Sequence, residues 1–295
     1  MGTSSCAIIF SYNSQMDVEF YVRNFDALQL DKMIICAEGD LDISKIRNMA
    51  EGKNIDLILC SERLGKTNAY NSALKHMDCD LAFLISGDVR FDPGIIKKIE
   101  RKIAGNEIII PRVLPVPSEK LASKIASVMW NVHDTYLTSS DDFYVKSGGE
   151  FQAIPAKFLI NLPPVVNDDE FLCLSAKRDG AMVLYSDDFI VHNWVPETFH
   201  DLLIQRIRVN FGHMEMERHF GKSSSLILNF PRNIKKSVLL MKTHLKRYPS
   251  DIAFIFPAIL IELISITYAF FDFKTYRGHM LWKVVKTSKD SGNGT

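Results

Sequence analysis

The chain has 295 residues, 47% of them hydrophobic, and its formal net charge is zero. This length allows one large domain or a domain with an appendage, and the balanced charge gives no indication of a nucleic-acid partner. The balance hides an asymmetry, because residues 201–295 contain 15 Lys and Arg against 7 Asp and Glu. A basic C-terminal third is either a set of solvated helix faces or a surface for phosphates or anionic lipid.

The cysteines predict a reducing environment. Their number is odd, no C-x-x-C pair occurs, and Cys6, Cys36 and Cys60 lie in or beside short apolar runs. We therefore expect buried thiols in a reducing compartment and not metal ligands.

The first half of the chain alternates apolar runs with amphipathic segments. The runs 6–10, 32–36, 56–60 and 81–85 predict buried strands, and the segments 16–28, 43–50 and 67–77 between them predict helices. This alternation predicts an α/β fold with a parallel sheet and helical crossovers. Ligands bind at the carboxyl ends of the strands in such sheets, so the polar loops after the strands should converge.

The second half of the chain is mainly helical in pattern. A strand is predicted over 106–111, and helices are predicted over 119–137, 168–178 and 198–220. Gly180 and Gly221 are stop signals for the last two helices.

A 20-residue apolar stretch, 252–271, follows, with Glu262 near its middle. Its length suffices to span a bilayer, but an acid at that depth is costly. Both flanks are basic: Lys242, Lys246 and Arg247 before it, and Lys274, Arg277 and Lys283 after it. A single span should show basic asymmetry, so we expect a helix in the interface plane at the cytoplasmic face of the cell membrane. A spanning helix and a helix packed in the core are the alternatives.

Two motifs lie directly after predicted strands. Asp88 follows the predicted strand 81–85, where a carboxylate can hold a divalent ion against a diphosphate, although such an acid also serves as a turn cap. The sequence from Gly65 to Ala69, G-K-T-N-A, opens a helix, where backbone amides and Lys66 suit an anion. The alternative is an ordinary helix start, and the nucleoside-triphosphate loop spacing is absent.

Two further motifs lie on predicted helices. Three consecutive acids, Asp168, Asp169 and Glu170, follow Asn167 and can supply a general base, or they can simply stabilise the helix dipole. On the long helix the sequence Q-R-I-R from residue 205 carries Arg208, which can reach a diphosphate or belong to a solvated basic face.

The order of these features from Ala7 to Gly221 resembles the processive-type family 2 glycosyltransferases with the GT-A fold. The resemblance implies a Rossmann-like mixed sheet with helices on both faces. It also implies a catalytic domain over 1–221, followed by a basic helical, membrane-associated region over 222–295.

The family's site residues are carried over by position. Asp88 matches the last acid of the D-x-D motif and would bind Mg²⁺ or Mn²⁺, Asp169 matches the catalytic base of T-E-D, and Gly148 and Gly149 match a loop near the acceptor. The resemblance implies donor-binding roles for eight residues: Tyr12, Glu38, Asp40, Lys66, Asn68, Gln205, Arg206 and Arg208.

The sequence departs from the family at three positions: Ser86 replaces the first acid of D-x-D, Asn167-Asp168-Asp169 replaces T-E-D, and Val209 replaces the Trp of Q-x-x-R-W. Only one apolar stretch follows, which favours a single-transfer or short-chain enzyme over a polymer synthase with its own channel. The implied reaction is an inverting transfer from a nucleotide-diphosphate sugar to a glycan or lipid-linked acceptor.

Two alternatives are a non-catalytic nucleotide-sugar-binding protein, which the departures favour, and a nucleotidyltransferase. The second would carry a Gly- and Arg-rich loop after the first strand, where residues 11–14 read S-Y-N-S.

Overall fold

An eight-stranded mixed sheet dominates the computed structural model, which describes residues 3–138 and 146–275. The strands are β1 (Ser5–Tyr12), β2 (Lys32–Glu38), β3 (Ile55–Cys60), β4 (Leu81–Ser86), β5 (Arg90–Phe91), β6 (Glu107–Val116), β7 (Phe151–Pro155) and β8 (Met182–Trp194). Their spatial order is β3-β2-β1-β4-β7-β6-β8-β5. Strands β1 to β4 pair in parallel, and β7 is antiparallel to β4. The prediction of an α/β fold with a mixed sheet is confirmed.

The central strands β1, β2 and β4 are covered on both faces, which explains why they are continuous apolar runs and not alternating ones. The helices that connect the parallel strands are α1 (Gln15–Leu28), α2 (Ile43–Ala50) and α3 (Lys66–Leu74), and α4 (Ile95–Lys102) lies between β5 and β6. The side chains of Ser14 and Asp42 cap α1 and α2, because each accepts a hydrogen bond from a backbone N–H of the first turn.

The later helices are α5 (Leu121–Thr138), α6 (Asp168–Arg178), α7 (Phe199–Phe220), α8 (Leu226–Asn229), α9 (Ile234–Arg247) and α10 (Ile252–Lys274). Thr198 caps the start of α7, and Gly221 ends it with a φ of 70°. The predicted helices over 119–137, 168–178 and 198–220 are therefore confirmed. The periodicity did not predict α9 or the strands β7 and β8.

The chain divides into two compact units. The first comprises the described residues within Met1–Arg112, Gly148–Pro164 and Phe171–Val191, and it contains most of the sheet with α1 to α4. The second comprises those within Val113–Ser147, Val165–Glu170 and His192–Thr295, and it contains α5 and α7 to α10. The boundary predicted at residue 221 falls between α7 and α8, inside the second unit.

Within the second unit, α10 lies alongside α7. Ala258 belongs to the same apolar cluster as Leu202, and Ala269 to the same cluster as Phe211. Since the positions on both helices rise together, the two helices run in the same direction. The stretch Pro249–Lys274 is long and apolar enough to cross a membrane, and 17% of its apolar window is buried. The basic residues Arg277 and Lys283 lie outside the described residues.

One cysteine expectation is wrong. Cys6 forms a disulfide with Cys79, with a Cα–Cα distance of 6.0 Å. The cause is the register of β1 and β4, which places Ser5 opposite Leu81 and so brings the start of β1 beside the turn before β4. Cys36 is a free and buried thiol, as predicted, whereas the free Cys60 is only half-buried.

Candidate functional site

Three loops meet at the carboxyl edge of the first unit's sheet. The register places Tyr12 opposite Glu38, and Glu38 opposite Cys60, so β1, β2 and β3 end at one level. The N–H of Asn13 donates to the Glu38 carbonyl (2.7 Å), and the N–H of Gly39 donates to the Cys60 carbonyl (2.9 Å). The predicted convergence of these loops is confirmed, because parallel pairing brings the strand ends to one edge.

The loop after β2 is packed against Asn13. Asn13 has a φ of 51°, and its side-chain oxygen accepts a hydrogen bond from the Asp40 N–H (3.3 Å). Gly39 has a φ of 111°, and a Cβ there would lie 3.0 Å from the Asn13 Oδ1. Only glycine suits this position. The side chain of Asp40 is thereby held at the edge and stays solvent-exposed.

Glu38 fixes the loop that carries Lys66. Its buried carboxylate accepts a hydrogen bond from the Gly65 N–H (3.2 Å), directly before the first residue of α3. The Lys66 ammonium lies 5.4 Å from the centre of the Phe10 ring, and the Asn68 amide donates to the Leu64 carbonyl (2.7 Å). Glu38 and Asn68 thus order this helix start, which presents a cation and backbone N–H groups of the kind that bind phosphate.

A second cation, Arg63, lies beside Tyr12, one of the predicted donor-binding residues. Its guanidinium carbon is 4.1 Å from the centre of the Tyr12 ring, a cation–π distance. The sequence interpretation did not include Arg63, although a basic residue in the loop after β3 was the available signal.

The loop after β4 presents Asp88. Within it, the Gly87 N–H donates to the Phe10 carbonyl (2.8 Å), and the Ser86 N–H donates to the Glu150 carbonyl (2.9 Å). The Ser86 hydroxyl donates to the Gly149 carbonyl (2.9 Å). The predicted metal-binding loop and the predicted acceptor-side loop are therefore hydrogen-bonded to each other.

Arg90 holds the backbone on both sides of Asp88. Its guanidinium donates to the carbonyls of Gly87 (2.7 Å) and Val89 (3.0 Å), and it pairs with the carboxylate of Asp17 (2.6 Å). Asp17 lies in the first turn of α1, directly after the loop of Tyr12. Arg90 was missed by sequence reasoning because a basic residue two positions after an acid has no distinctive spacing.

The donor set around Asp88 fits a cation shared with a ligand. Within the described ranges, no group of three or more His, Cys, Asp or Glu side chains forms a ready-made metal site. The Ser86 hydroxyl is turned toward Gly149, which leaves Asp88 as the carboxylate of this loop. Mg²⁺ is commonly held by one or two carboxylates with phosphate oxygens and water, so one protein carboxylate is sufficient.

The Gly-Gly loop is tightly packed. A Cβ at Gly148 would lie 2.6 Å from the Ile110 Cγ2 on β6, and Gly149 accepts the Ser86 hydrogen bond. Close packing against Ile110 therefore explains why residue 148 is a glycine.

In the second unit, the start of α6 is anchored to α7. The buried Glu170 carboxylate is hydrogen-bonded to the His213 ring (2.8 Å) and to the Ser224 N–H, and the Asn167 amide donates to the Val209 carbonyl (3.2 Å). Asp169, between these anchors, is half-buried. Within the acid run, Glu170 anchors the start of α6 and Asp169 keeps partial exposure, and the general-base role of Asp169 stays a prediction.

Gly212 permits this docking. A Cβ at Gly212 would lie 2.2 Å from the Asn167 Oδ1. Only a residue without a side chain lets Asn167 approach α7 so closely. The sequence analysis did not single out this glycine, which lies in the middle of a helix.

The predicted diphosphate-binding residues occupy different faces of α7. The Arg206 Nε lies 2.6 Å from a carboxylate oxygen of Glu262 on α10, and the Asn210 amide donates to the same carboxylate (2.9 Å). Consecutive helix residues are about 100° apart, which sets Arg208 about 200° away from Arg206. Arg206 therefore pairs with α10, and the donor-binding role of Gln205 and Arg208 stays a prediction.

The predicted residues separate into two groups. The first unit holds eight of them: Tyr12, Glu38, Asp40, Lys66, Asn68, Asp88, Gly148 and Gly149. The second holds four: Asp169, Gln205, Arg206 and Arg208. The expectation from the sequence that Asp88, Asp169 and Arg208 act together involves residues of both units, and it stays a prediction.

Comparisons with known proteins support the fold. No protein-family model and no curated protein matches the chain. Among solved structures it resembles a mannosyltransferase from Pyrobaculum calidifontis in complex with GDP-Man and Mn²⁺, with a TM-score of 0.63 and 14% identity over 94% of this chain and 89% of that chain. Glucosyl-3-phosphoglycerate synthase from Mycobacterium tuberculosis matches with a TM-score of 0.45 and 14% identity over 64% of this chain and 70% of that one. The chain therefore has the GT-A fold of nucleotide-sugar glycosyltransferases.

Proposed function

We propose that the protein is an inverting glycosyltransferase that moves a sugar from a nucleotide-diphosphate donor to a hydroxyl acceptor. The observation that carries the proposal is the loop of Asp88. It lies at the carboxyl end of a central parallel strand and is hydrogen-bonded to the Gly-Gly loop through Ser86 and Gly149. The matched mannosyltransferase, described with GDP-Man and Mn²⁺, supports a nucleotide-sugar donor and a divalent cation.

The proposed chemistry is a direct displacement. Asp169 accepts the proton of the acceptor hydroxyl, whose oxygen attacks the anomeric carbon while the bond from that carbon to the diphosphate oxygen breaks. Lys66 and Arg208 stabilise the negative charge that the leaving diphosphate gains. A cation bound at Asp88 would supply further neutralisation of that charge. The configuration at the anomeric carbon inverts, and no covalent enzyme intermediate forms.

A panel of nucleotide sugars tests the proposal. The protein is incubated with UDP- and GDP-sugars and Mn²⁺ or Mg²⁺, and released UDP or GDP is measured with and without lipid-phosphate and glycan acceptors. We expect acceptor-dependent release with the wild type and none with Asp169→Asn. Tight nucleotide binding without release would favour the alternative, a non-catalytic nucleotide-sugar-binding protein. The observation that supports this alternative is Ser86, which stands where the resembled family has an acid.

We also infer a membrane surface as a partner, with a lipid-linked or surface-glycan acceptor. The side of α10 away from α7 exposes large apolar residues, among them Ile252, Phe256, Leu260, Leu263 and Phe271. Its acid Glu262 faces α7 instead. This is the arrangement of a helix that lies on a bilayer with its apolar face inward.

The pairing with α7 favours the interface plane over a span. Because α7 runs beside α10, a spanning α10 would bring Arg206 and Asn210 into the hydrocarbon, at about 2.5 kcal/mol or more for the arginine alone. The exposed face of α9 carries Lys235, Lys242 and Lys246. Each of these contributes about 1 kcal/mol near anionic headgroups.

Vesicle flotation tests the membrane proposal. We expect the protein to float with vesicles of phosphatidylcholine and phosphatidylglycerol, and Phe256→Asp with Leu263→Asp to abolish flotation. Met182→Asp, at an exposed apolar residue of the first unit, is the matched control. Flotation unchanged in the double variant would contradict the role of α10.

We propose the cytoplasmic face, although the Cys6–Cys79 disulfide argues the other way, because disulfides are rare in the cytosol. Protease protection in sealed cells decides between the two sides. Cleavage of the protein by external protease would contradict the cytoplasmic location.

A further inference from the structure

The apolar helix α10 contains one acid, and this acid is turned inward. Glu262 pairs with Arg206 at 2.6 Å and accepts a hydrogen bond from Asn210 at 2.9 Å, and both partners lie on α7. Both members of the ion pair are largely shielded, with side-chain exposures of 22% for Arg206 and 19% for Glu262. The hydrogen bond from Asn210 to this carboxylate is charge-assisted, and such a bond between shielded groups defines geometry better than a solvated ion pair.

A second contact fixes the same junction. Asn210 lies one helical turn after Arg206 and also donates to the Ser265 hydroxyl (2.9 Å), while Ser265 donates to the Glu262 carbonyl (2.9 Å). The polar contacts thus span one turn of each helix. Apolar clusters that pair Ala258 with Leu202 and Ala269 with Phe211 lie along the same contact, and this polar network adds the directional contacts that define the rotation and register of one helix against the other.

The rotation of α7 decides where its remaining polar side chains point. If Arg206 and Asn210 face α10, the helix period turns Arg208 about 200° away from that side. Without this network, α7 would lose the polar contacts that define its rotation against α10. The direction of Arg208 therefore depends on a residue that touches no substrate.

We propose that Glu262 is a positioning residue for donor binding. It anchors Arg206 to α10, and this contact orients Gln205 and Arg208 on α7 toward the diphosphate. The proposal rests on the proposed function. It replaces the sequence-based donor contact of Arg206 with an anchoring role. It also connects α10, the helix proposed to lie on the membrane, directly to α7, the helix proposed to bind the donor.

A double-mutant cycle tests the proposal. Glu262→Gln, Arg206→Gln and the double variant are compared with wild type for binding of UDP and GDP in the presence of Mn²⁺ by calorimetry, and for kcat and KM. We expect each single change to weaken nucleotide binding and to raise the donor KM about tenfold, and the double variant to be no worse than either single variant. A residue that only supports the fold would lower the active fraction and hence kcat, with KM and Kd unchanged.

Arg232→Gln is the matched control, because it removes another ion pair of α7, between Arg232 and Glu217 (2.5 Å), near the far end of the helix. It should leave nucleotide binding unchanged. If the single variants fold poorly, the exchanged pair Arg206→Glu with Glu262→Arg should recover most of the binding.

The outcomes separate the two claims. Binding and KM unchanged in Glu262→Gln would overturn the positioning role. Additive losses, with Arg206→Gln far worse than Glu262→Gln, would mean that Arg206 contacts the donor itself. A wild type that binds neither UDP nor GDP would instead overturn the proposed function.

Discussion

The hydroxyl of Ser86 donates a hydrogen bond to the backbone carbonyl of Gly149. Ser86 occupies the position at which the resembled family carries the first acid of its metal motif, and its hydroxyl is used to connect two loops. Ser86 therefore connects two loops at a position where the resembled family has a metal ligand. Asp88 alone carries the carboxylate of this loop.

The first prediction concerns the metal. Ser86→Ala should leave the Mn²⁺ dependence of transfer unchanged and lower the unfolding free energy by about 1 kcal/mol, the net value of one hydrogen bond. Asp88→Asn should weaken the response to Mn²⁺ strongly. Activity titrated with Mn²⁺ after chelator treatment measures both. Full wild-type activity in excess chelator would contradict a role for any metal.

The second prediction concerns the base. Asp169→Asn should lower kcat by about 100-fold or more while nucleotide binding stays nearly intact, because a general base acts mainly in the transition state. Calorimetry with UDP and GDP, together with single-turnover rates, measures the two effects. If Asp168→Asn shows this pattern and Asp169→Asn does not, the base is the neighbouring acid.

The third prediction concerns the docking of the acid run. Gly212→Ala would place a methyl group against the Asn167 side chain and shift the start of α6. A displacement near 1 Å at a reacting group costs up to about 100-fold in rate, so kcat should fall well below that of wild type. Arg218→Ala, at an exposed position of the same helix, is the control. Alanine otherwise favours a helix over glycine by about 1 kcal/mol, so a more stable and fully active Gly212→Ala would show that the contact is loose.

Much of the fold followed from the sequence because its strands are continuous apolar runs. The four parallel strands were predicted correctly for this reason, and Gly221 ends α7 as its glycine stop signal predicted. Strand β7 was missed because its five residues include Gln152 and end in Pro155, so they form no apolar run although the strand is buried inside the sheet. Strand β8, near the sheet edge, was missed because it mixes buried and exposed positions. The Cys6–Cys79 disulfide was missed because it depends on the register of β1 and β4, which no local pattern contains.

The sequence indicated which loops carry the candidate residues of the first unit, but not the contacts that some candidate residues make. Glu38 was expected to contact the donor, yet its carboxylate also holds the Gly65 N–H. Arg206 was expected on the diphosphate, yet it pairs with Glu262 from a segment 56 positions further along the chain. Such partners come from tertiary packing, and for this reason Arg63 and Arg90 also escaped the sequence analysis.

The fourth prediction concerns acid stability. Burial lowers the pKa of His133 to about 4. In the unfolded chain the pKa of this histidine is near 6.5, so between about pH 6.5 and pH 4 the unfolded state binds a proton that the folded state does not. The contribution of the neutral His133 to the unfolding free energy is therefore fully present above about pH 6.5 and is lost as the pH falls. At about pH 5 the loss from this group should be about 2 kcal/mol relative to neutral pH. Urea unfolding of wild type and His133→Gln at both pH values isolates it, and an equal pH dependence in the two proteins would contradict the assignment.

The most direct test of sugar transfer is the product itself. The protein is incubated with a nucleotide sugar, Mn²⁺ and a lipid-phosphate or glycan acceptor, and the product is identified by mass spectrometry and by NMR of the anomeric proton. The account predicts an acceptor that has gained one sugar residue, linked with the anomeric configuration opposite to that of the donor. Retention of configuration would contradict the direct displacement. The absence of any glycosylated acceptor across the donor panel, despite nucleotide binding, would contradict the enzyme activity itself.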